Sequence, residues 1–402
     1  MINVPLDYQT IQSAINAANP GDTIMVSSGT YYEHLSVNKT LHLIGEDKPP
    51  TIINGNRSDH TISILADNVV FEGFTVRDER GWLIHLDHTV NTTVANNIIS
   101  GNSATSGILL NHSNYTRLLD NIIINNGHQD PHIPTGGGLM LQSSESNIIR
   151  GNNLTDNVVF GIFISESPNN LIIENFIRSV YSGVDITFSD NITLYHNILM
   201  SPEYYIEFSN TTWNDNYPSG GNYWSSYSGS DNNHGIFQNI TGSDGIGDIP
   251  LDLRKSFPQS TIDPGNVDQY PLMGVLSTFQ VLEEHQLQTL SNSTVSDFQF
   301  NGTAIKFNVT GEDSTTGFCR ICIPTDLIGE TFEVYVNGIE IIHTVIPLSN
   351  STHSYLYFTY NHSTQKVIIT PEFPSLLILL SCMTVSLLTV IFRRKKHSRI
   401  IF

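Results

Sequence analysis

The chain is short of cysteine, of positive charge and of uninterrupted helical runs, and each shortage removes a class of protein. Three Cys in 402 residues make no disulfide framework. Lys and Arg number 18 against 38 Asp and Glu, a net charge of −20, and no Lys stands between Lys48 and Lys255. A surface of that sign has no basic face to displace counterions from phosphates, which argues against nucleic acid as a partner. It suits a hydrated exterior. Between Asn68 and Tyr217, Asn and Gly break the chain too often for a helical repeat. The Leu-x-x-Leu-x-Leu frame of a leucine-rich repeat is absent as well.

What fills that stretch is one short phrase said several times. Asn97-Ile-Ile, Asn121-Ile-Ile, Asn153-Leu-Thr, Asn175-Phe-Ile and Asn197-Ile-Leu are its clear copies, with Gly73-Phe-Thr as a variant first copy and Asn216-Tyr a degenerate last one. The spacing is roughly 22–24 residues apart from one long interval and a shorter last one, a repeat-protein period. A second column, Gly81, Gly107, Gly138, Gly161 and Gly183, opens alternating runs such as Gly107-Ile-Leu-Leu-Asn and Gly161-Ile-Phe-Ile-Ser. Short β-branched runs between turn residues are strands. A strand repeat of this length predicts a parallel β-helix, each repeat one coil stacked at about 4.8 Å on the last. Alternation sends Trp82/Ile84, Ile108/Leu110, Leu139/Leu141, Ile162/Ile164 and Val184/Ile186 inward. The Asn column sits at bends, where stacked amides satisfy polar groups that burial would otherwise strand.

Before the repeat, Tyr8 to Ala18 carries apolar residues at helical spacing and Asn19-Pro-Gly-Asp22 stops it. A helix there covers the open edges and core of the first coil. After the repeat, Tyr223, Trp224 and Tyr227 suit an aromatic plug on the last coil. The run TIQSAINAANPGDTIMVSSGTYYEHL, with GGNYWSSYSGSD, GSDGIGDIP and DQYPLM at the other end, resembles right-handed parallel β-helix proteins of the pectin-lyase-like superfamily. Within that group it looks most like the NosD-type, carbohydrate-binding and sugar-hydrolase family in its archaeal cell-surface versions. The resemblance spans roughly Val4 to Met273 and implies fold more than activity.

The long interval holds an insertion, Gly127-His-Gln-Asp-Pro-His-Ile-Pro-Thr-Gly136. Loops leaving a solenoid often carry function. Counted from each Gly, Leu83, Leu109, Met140, Phe163 and Asp185 form an outward, mostly apolar stripe beside His85, Asn111, Gln142, Ser165 and Thr187. The stripe is either covered by another part of the chain or is a ligand groove for a sugar chain, lined by Leu83, His85, Leu109, Met140, Phe163 and Asp185. Asp130-Pro-His132 resembles the catalytic motif of mannuronan C5-epimerases, although Gly127 and Ile133 replace the expected Tyr and acid. Hydrolysis or elimination would need clustered carboxylates. Asp185 is the sole acid on the stripe, and neither Asp-Asp nor Gly-His-Gly occurs. Asp130, His132 and Asp185 are thus the catalytic candidates. The NosD resemblance implies copper, for which His112, His128 and His132, with Met140, are the candidate ligands. Asp231, Asp244 and Asp248 among glycines read as a calcium loop or as structural turns.

The repeat ends at Gly274. Val275 to Thr370 carries alternating strands and an Asn337-Gly338 hairpin turn, which predicts an antiparallel β-sandwich. Pro371-Glu-Phe-Pro374 breaks it, and Leu376 to Phe392 is then continuously apolar or small, about 26 Å as a helix. Arg393-Arg-Lys-Lys396 follows and stays cytoplasmic. The expected organisation is an all-β chain: β-helix over 1–274, sandwich over 275–370, and a single-pass membrane anchor with basic tail over 371–402. Sequons at Asn239, Asn301, Asn308, Asn350 and Asn361, outside the repeat, favour a secreted glycoprotein with a signal segment expected upstream. The function expected is a surface binding or scaffold module, with glycan-active enzyme and copper accessory protein as alternatives.

Overall fold

A computed structural model describes the chain except for residues 57–59, 79, 104, 130–134, 254–265, 283–284, 330, 348–351 and 373–402. The chain divides into two compact units, Met1–Leu276 and Ser277–Phe402.

The first unit is a right-handed parallel β-helix. Among the described residues its coils pass through three parallel sheets of ten, eight and nine strands. Inward residues stack by type from coil to coil: Val94, Leu118, Ile149, Ile172 and Leu194 in one sheet, Ile99, Ile123, Leu154, Ile177 and Leu199 in another, all fully buried. The helix Ile11–Ala17 lies at the start with Ile11, Ala14 and Ile15 buried. Its ends are tied by charges the sequence pattern did not flag. Glu33 accepts the N–H groups of Ile11 and Gln12 at 3.0 and 2.9 Å. Lys39 Nζ donates to the carbonyls of Ile15, Asn16 and Ala18 at 3.1, 2.8 and 2.9 Å. Both signs match the helix dipole.

The Asn column is real, with two members displaced. Asn97, Asn121, Asn152, Asn175, Asn197 and Asn222 are buried in one file. The backbone N–H of each donates to the Oδ1 of the next, at 3.1, 3.0, 2.9, 3.0 and 3.1 Å. From Asn97 to Asn197 each Nδ2 donates forward to the same oxygen and backward to a carbonyl of the preceding coil, as Asn121 does to Asn152 Oδ1 and Val94 O. Asn152, not Asn153, holds the column. The residue after a column Asn faces outward and only the second one is core, so exposed Asn153 aligns with Ile122 and buried Leu154 with Ile123. The last member is Asn222, whereas Asn216 is exposed in a turn at φ +59°. Preceding the column, Asn96, Asp120, Gly151, Glu174 and His196 all take φ between +53° and +67°, the sharp corner the coil requires.

Two further ladders escaped the sequence reading. Asn102, Asn126 and Asn157 repeat the arrangement at another corner. Ser113, Ser144, Ser167, Ser189 and Ser209 each receive a backbone N–H from the coil before, at 2.9–3.2 Å. The glycine column is correct from Gly107 to Gly183 but not at Gly81. Ile84 pairs with Ile108, so Leu83 occupies the column position and Trp82 is only half-buried. Gly81 is a turn glycine at φ +63°.

At the far end, Trp213 and Trp224 are almost fully buried with ring centroids 5.5 Å apart, and Tyr204 meets Trp224 edge-on at 5.0 Å. Asp268 ends the Asn column. Its Oδ2 accepts Asn222 N at 2.9 Å and Trp224 Nε1 at 2.8 Å, and its Oδ1 accepts Tyr270 N at 3.1 Å. Burial pushes this carboxyl up to about 6 against those donors.

The second unit holds two five-stranded antiparallel sheets. They share a core that includes Phe307, Val334 and Ile369 from one and Ile321, Leu356 and Phe358 from the other. Asn337 and Gly338 turn a hairpin with φ of +50° and +78°. Cys319 and Cys322 are both free thiols; burial raises both above the ordinary range. The apolar stretch read as an anchor, 376–392, lies outside the described residues. Among the described residues no helix is long and apolar enough to cross a membrane.

Asn121→Ala or Asn175→Ala should therefore destabilise the solenoid by about 1–3 kcal/mol, the cost of orphaning buried donors. Asn153→Ala should cost less than about 0.5 kcal/mol. Urea melts of the three variants check this, and equal midpoints would contradict the register.

Candidate functional site: the outward face of the eight-stranded sheet

Pairing in the eight-stranded sheet fixes which side chains stand side by side. His85, Leu109, Met140, Phe163, Asp185 and Tyr205 form one outward row, each from a successive coil. Asp87, Asn111, Gln142, Ser165, Thr187 and Glu207 form the second. A third row follows at left-handed positions: His88, His112, Ser143, Glu166, Phe188 and Phe208 have φ between +47° and +54°. Adjacent coils stack their rings there. His88 and His112 lie parallel at 4.7 Å, and Phe188 and Phe208 at 5.0 Å.

The expected groove changes accordingly. Leu109, Met140, Phe163 and Asp185 share the row, and His85 joins it from the register assigned to the polar row. Leu83 does not line it. The two-residue slip at Gly81 puts Leu83 in the core, with no exposed surface. Leu109 is itself nearly buried, while Met140 and Phe163 are half-buried.

Electrostatics divide the face in two. At one end, His85 packs its ring 4.7 Å from that of His60, and burial first, then His60, lowers its pKa. Burial acts to raise Asp87, but hydrogen bonds from Asn111 at 2.7 Å and His88 at 2.9 Å outweigh it and hold the carboxyl below its usual range. At the other end, burial pushes Asp185 up to about 6, with Glu203 adding to the rise and Ser182 and the Tyr205 N–H opposing it. Tyr205 donates its hydroxyl to Glu207 at 2.6 Å. Asp185 faces Tyr205 directly, so Glu203 and Glu207 stand two residues to either side on the neighbouring strand. Those two acids and Tyr205 were missed because the strand Glu203–Glu207 has no glycine to announce it. The repeated Phe188-Ser189 and Phe208-Ser209 pairs were the available signal.

The structure does not bring the described copper candidates His112 and His128 together. His128 is exposed and bridges Thr135 ahead of the strand Leu139–Gln142, whereas His112 follows the neighbouring strand Ile108–Asn111. A full strand separates them, at least about 13 Å at the usual rise. Asp130 and His132 lie outside the described residues. Among the described residues no group of three or more His, Cys, Asp or Glu is placed to hold a metal ion. The calcium candidates bind their own loops: Asp231 accepts the N–H groups of Asp244 and Gly245, Asp244 that of Ile246, and Asp248 those of Asn232 and Asn233. Of the glycosylation candidates, Asn239, Asn301 and Asn361 are exposed. Asn308 is half-buried and donates to Asp297 at 2.7 Å, and Asn350 is outside the described residues.

A family model described as "Periplasmic copper-binding protein (NosD)" matches residues 15–229. No curated protein matches the chain. Among solved structures, a Dettilon tailspike protein is 13% identical with a TM-score of 0.33, over 86% of this chain and 87% of that one. A mannuronan C-5 epimerase A-module from Azotobacter vinelandii is 14% identical with a TM-score of 0.32, over 50% of this chain and 74% of its own. A pectin methylesterase from Yersinia enterocolitica is 12% identical with a TM-score of 0.29, over 51% and 81%.

The raised Asp185 makes a signed prediction. Its folded pKa of about 6 stands above the ordinary carboxylate value of 3.8, so its contribution to stability is full below 3.8 and is lost as pH rises through 6. Asp185→Asn should therefore melt above the parent at pH ~8, by on the order of 1–3 kcal/mol, and level with it near pH ~4. A difference independent of pH would contradict the burial of this carboxyl.

Proposed function

The chain belongs to the NosD family of parallel β-helix proteins, and we propose that this member is an extracellular binding and scaffold module for carbohydrate, held at the cell membrane by its C-terminal segment. One observation carries the binding reading. The outward face of the eight-stranded sheet presents polar groups in a row, one per coil at the strand spacing of about 4.8 Å, with stacked rings toward its two ends. Phe188 and Phe208, 60% and 54% exposed, stack beside Ser165, Thr187 and Glu207. A polysaccharide offers the matching pattern: ring faces that pack on aromatics, flanked by hydroxyls that both donate and accept. Regular rows suit a regular polymer better than a compact ligand.

Anchoring is supported by the sequence: the apolar run Leu376 to Phe392, then Arg393 to Lys396. The sequons at Asn239, Asn301, Asn308, Asn350 and Asn361 agree with an extracellular location.

A second reading, cleavage of a bound glycan, is favoured by Asp185. A carboxyl held at about 6 suits a general acid, and Glu203 and Glu207 flank it. The copper reading draws no support from the described residues.

A glycan array probed with the full-length protein tests the proposal. Binding to at least one polysaccharide is expected, and Phe188→Ala with Phe208→Ala should weaken it about tenfold or more without moving the melting midpoint. Retention of no glycan, or indifference to that double change, would defeat it. Reducing ends released from the bound glycan, and lost in Asp185→Asn, would establish the enzyme reading. Protease added to intact cells should remove everything before Pro371; protection of the β-helix would overturn the topology.

A further inference from the structure

A second concave site lies on the nine-stranded sheet, away from the rows just described. Tyr32, Asn54, Arg77 and Ser100 stand at equivalent positions on four successive strands, Gly29–Tyr32, Thr51–Asn54, Thr75–Arg77 and Ile98–Ser100. They line a cavity of about 410 Å³ whose wall is completed by Asn56, Asp78 and Gly101. Gly101 keeps one rim open: it has φ +86° and nothing within 4 Å of the place a Cβ would occupy.

The chemistry of this row differs from that of the rest of the solenoid. Elsewhere the ladders satisfy each other, and Arg150 and Arg178 are ion-paired with Glu174 and Asp156 at 3.4 and 2.8 Å. Arg77, like Arg117 on the ten-stranded sheet, has no ion-pair partner among the described residues, and of the two it is Arg77 that lines this cavity. Asn54 Oδ1 accepts Asn56 N–H at 3.0 Å, so the amide N–H₂ is the half of this lining side chain left for a ligand. Tyr32 is 68% exposed and offers a ring face. Asp78 is buried, with one carboxylate oxygen 3.4 Å from Thr61 Oγ1 and the other 3.3 Å from the Arg80 N–H.

We propose that this cavity binds a polyhydroxylated monocarboxylate, a sugar acid, as a free unit or as the end of a chain. The guanidinium takes the carboxylate in two parallel hydrogen bonds, and the Tyr32 ring lies against the apolar face of the sugar. Asn54 and Ser100 take ring hydroxyls, one per coil. The one guanidinium pairs with one negative charge, and the Asp78 carboxylate beside it repels a second, which disfavours a phosphate dianion. This site uses no residue of the eight-stranded sheet, so it stands or falls independently of the polysaccharide face.

The test is a calorimetric titration of the full-length protein with D-glucuronate, D-glucose and inorganic phosphate. Saturable binding of glucuronate is expected, with glucose and phosphate each at least tenfold weaker. Arg77→Gln should reduce glucuronate binding tenfold or more and Tyr32→Ala should weaken it, with both melting midpoints unchanged because both side chains are exposed. Phe188→Ala with Phe208→Ala should leave glucuronate binding intact. Equal affinity for glucose, preference for phosphate, or indifference to Arg77→Gln would overturn the proposal. Loss of binding in the double Phe variant would assign the ligand to the other face.

Discussion

The structure depends on a file of buried amides whose backbone N–H groups all donate in one direction. From Phe74 N–H to Asn97 Oδ1 and onward, each coil donates a backbone N–H to the Asn oxygen of the next. From Asn97 to Asn222 the side-chain N–H goes with it. A tight corner buries backbone groups that no sheet can reach, and leaving them unpaired would cost about 1–3 kcal/mol each. Asn suits the post because one short side chain supplies an acceptor toward the coil before and donors both ways. The file must end on an acceptor that has nothing to donate. Asp268 meets that requirement, taking Asn222 N–H and the Trp224 indole on one oxygen and Tyr270 N–H on the other. A second amide there would set an N–H₂ against one of those donors.

Because the corners repeat, the faces between them repeat too. The eight-stranded sheet shows rows of equivalent residues on its outer side, and what the rows contain is free to vary while the inner residues and ladders are not. That division puts stability inside and leaves the outer side free for the proposed recognition. It explains how a face can change from His85 and Asp87 at one end to Asp185 and Glu207 at the other without any change of fold. The same logic gives the nine-stranded sheet its row from Tyr32 to Ser100.

Much of this was written in the sequence, and the misses have physical causes. Ile123, Leu154 and Ile177 announce themselves because a core position accepts only apolar side chains. Asn153 misled because the residue after a ladder Asn faces water and can be anything, so two adjacent Asn leave the register open. Gly81 misled because a turn glycine and a column glycine look alike until pairing is known. The serine ladder was silent: Ser113 to Ser209 are small polar residues in polar surroundings, and only their coil-to-coil hydrogen bonds show their role. The site was less legible than the fold. Its rows are defined by alignment across coils, and a two-residue slip moved Leu83 from groove to core and His85 into the row.

The most direct test of the account is hydrogen exchange on the full-length protein after Asp268→Ala. Removing the terminal acceptor leaves Asn222 N–H without a partner, and a one-directional file should loosen from that end. Exchange should accelerate most at Asn222, then at Asn197 and Asn175, with Asn97 and Asn121 close to the parent. Uniform acceleration along the file, or none at Asn222 and Asn197, would contradict the claim that these amides hold the coils in sequence.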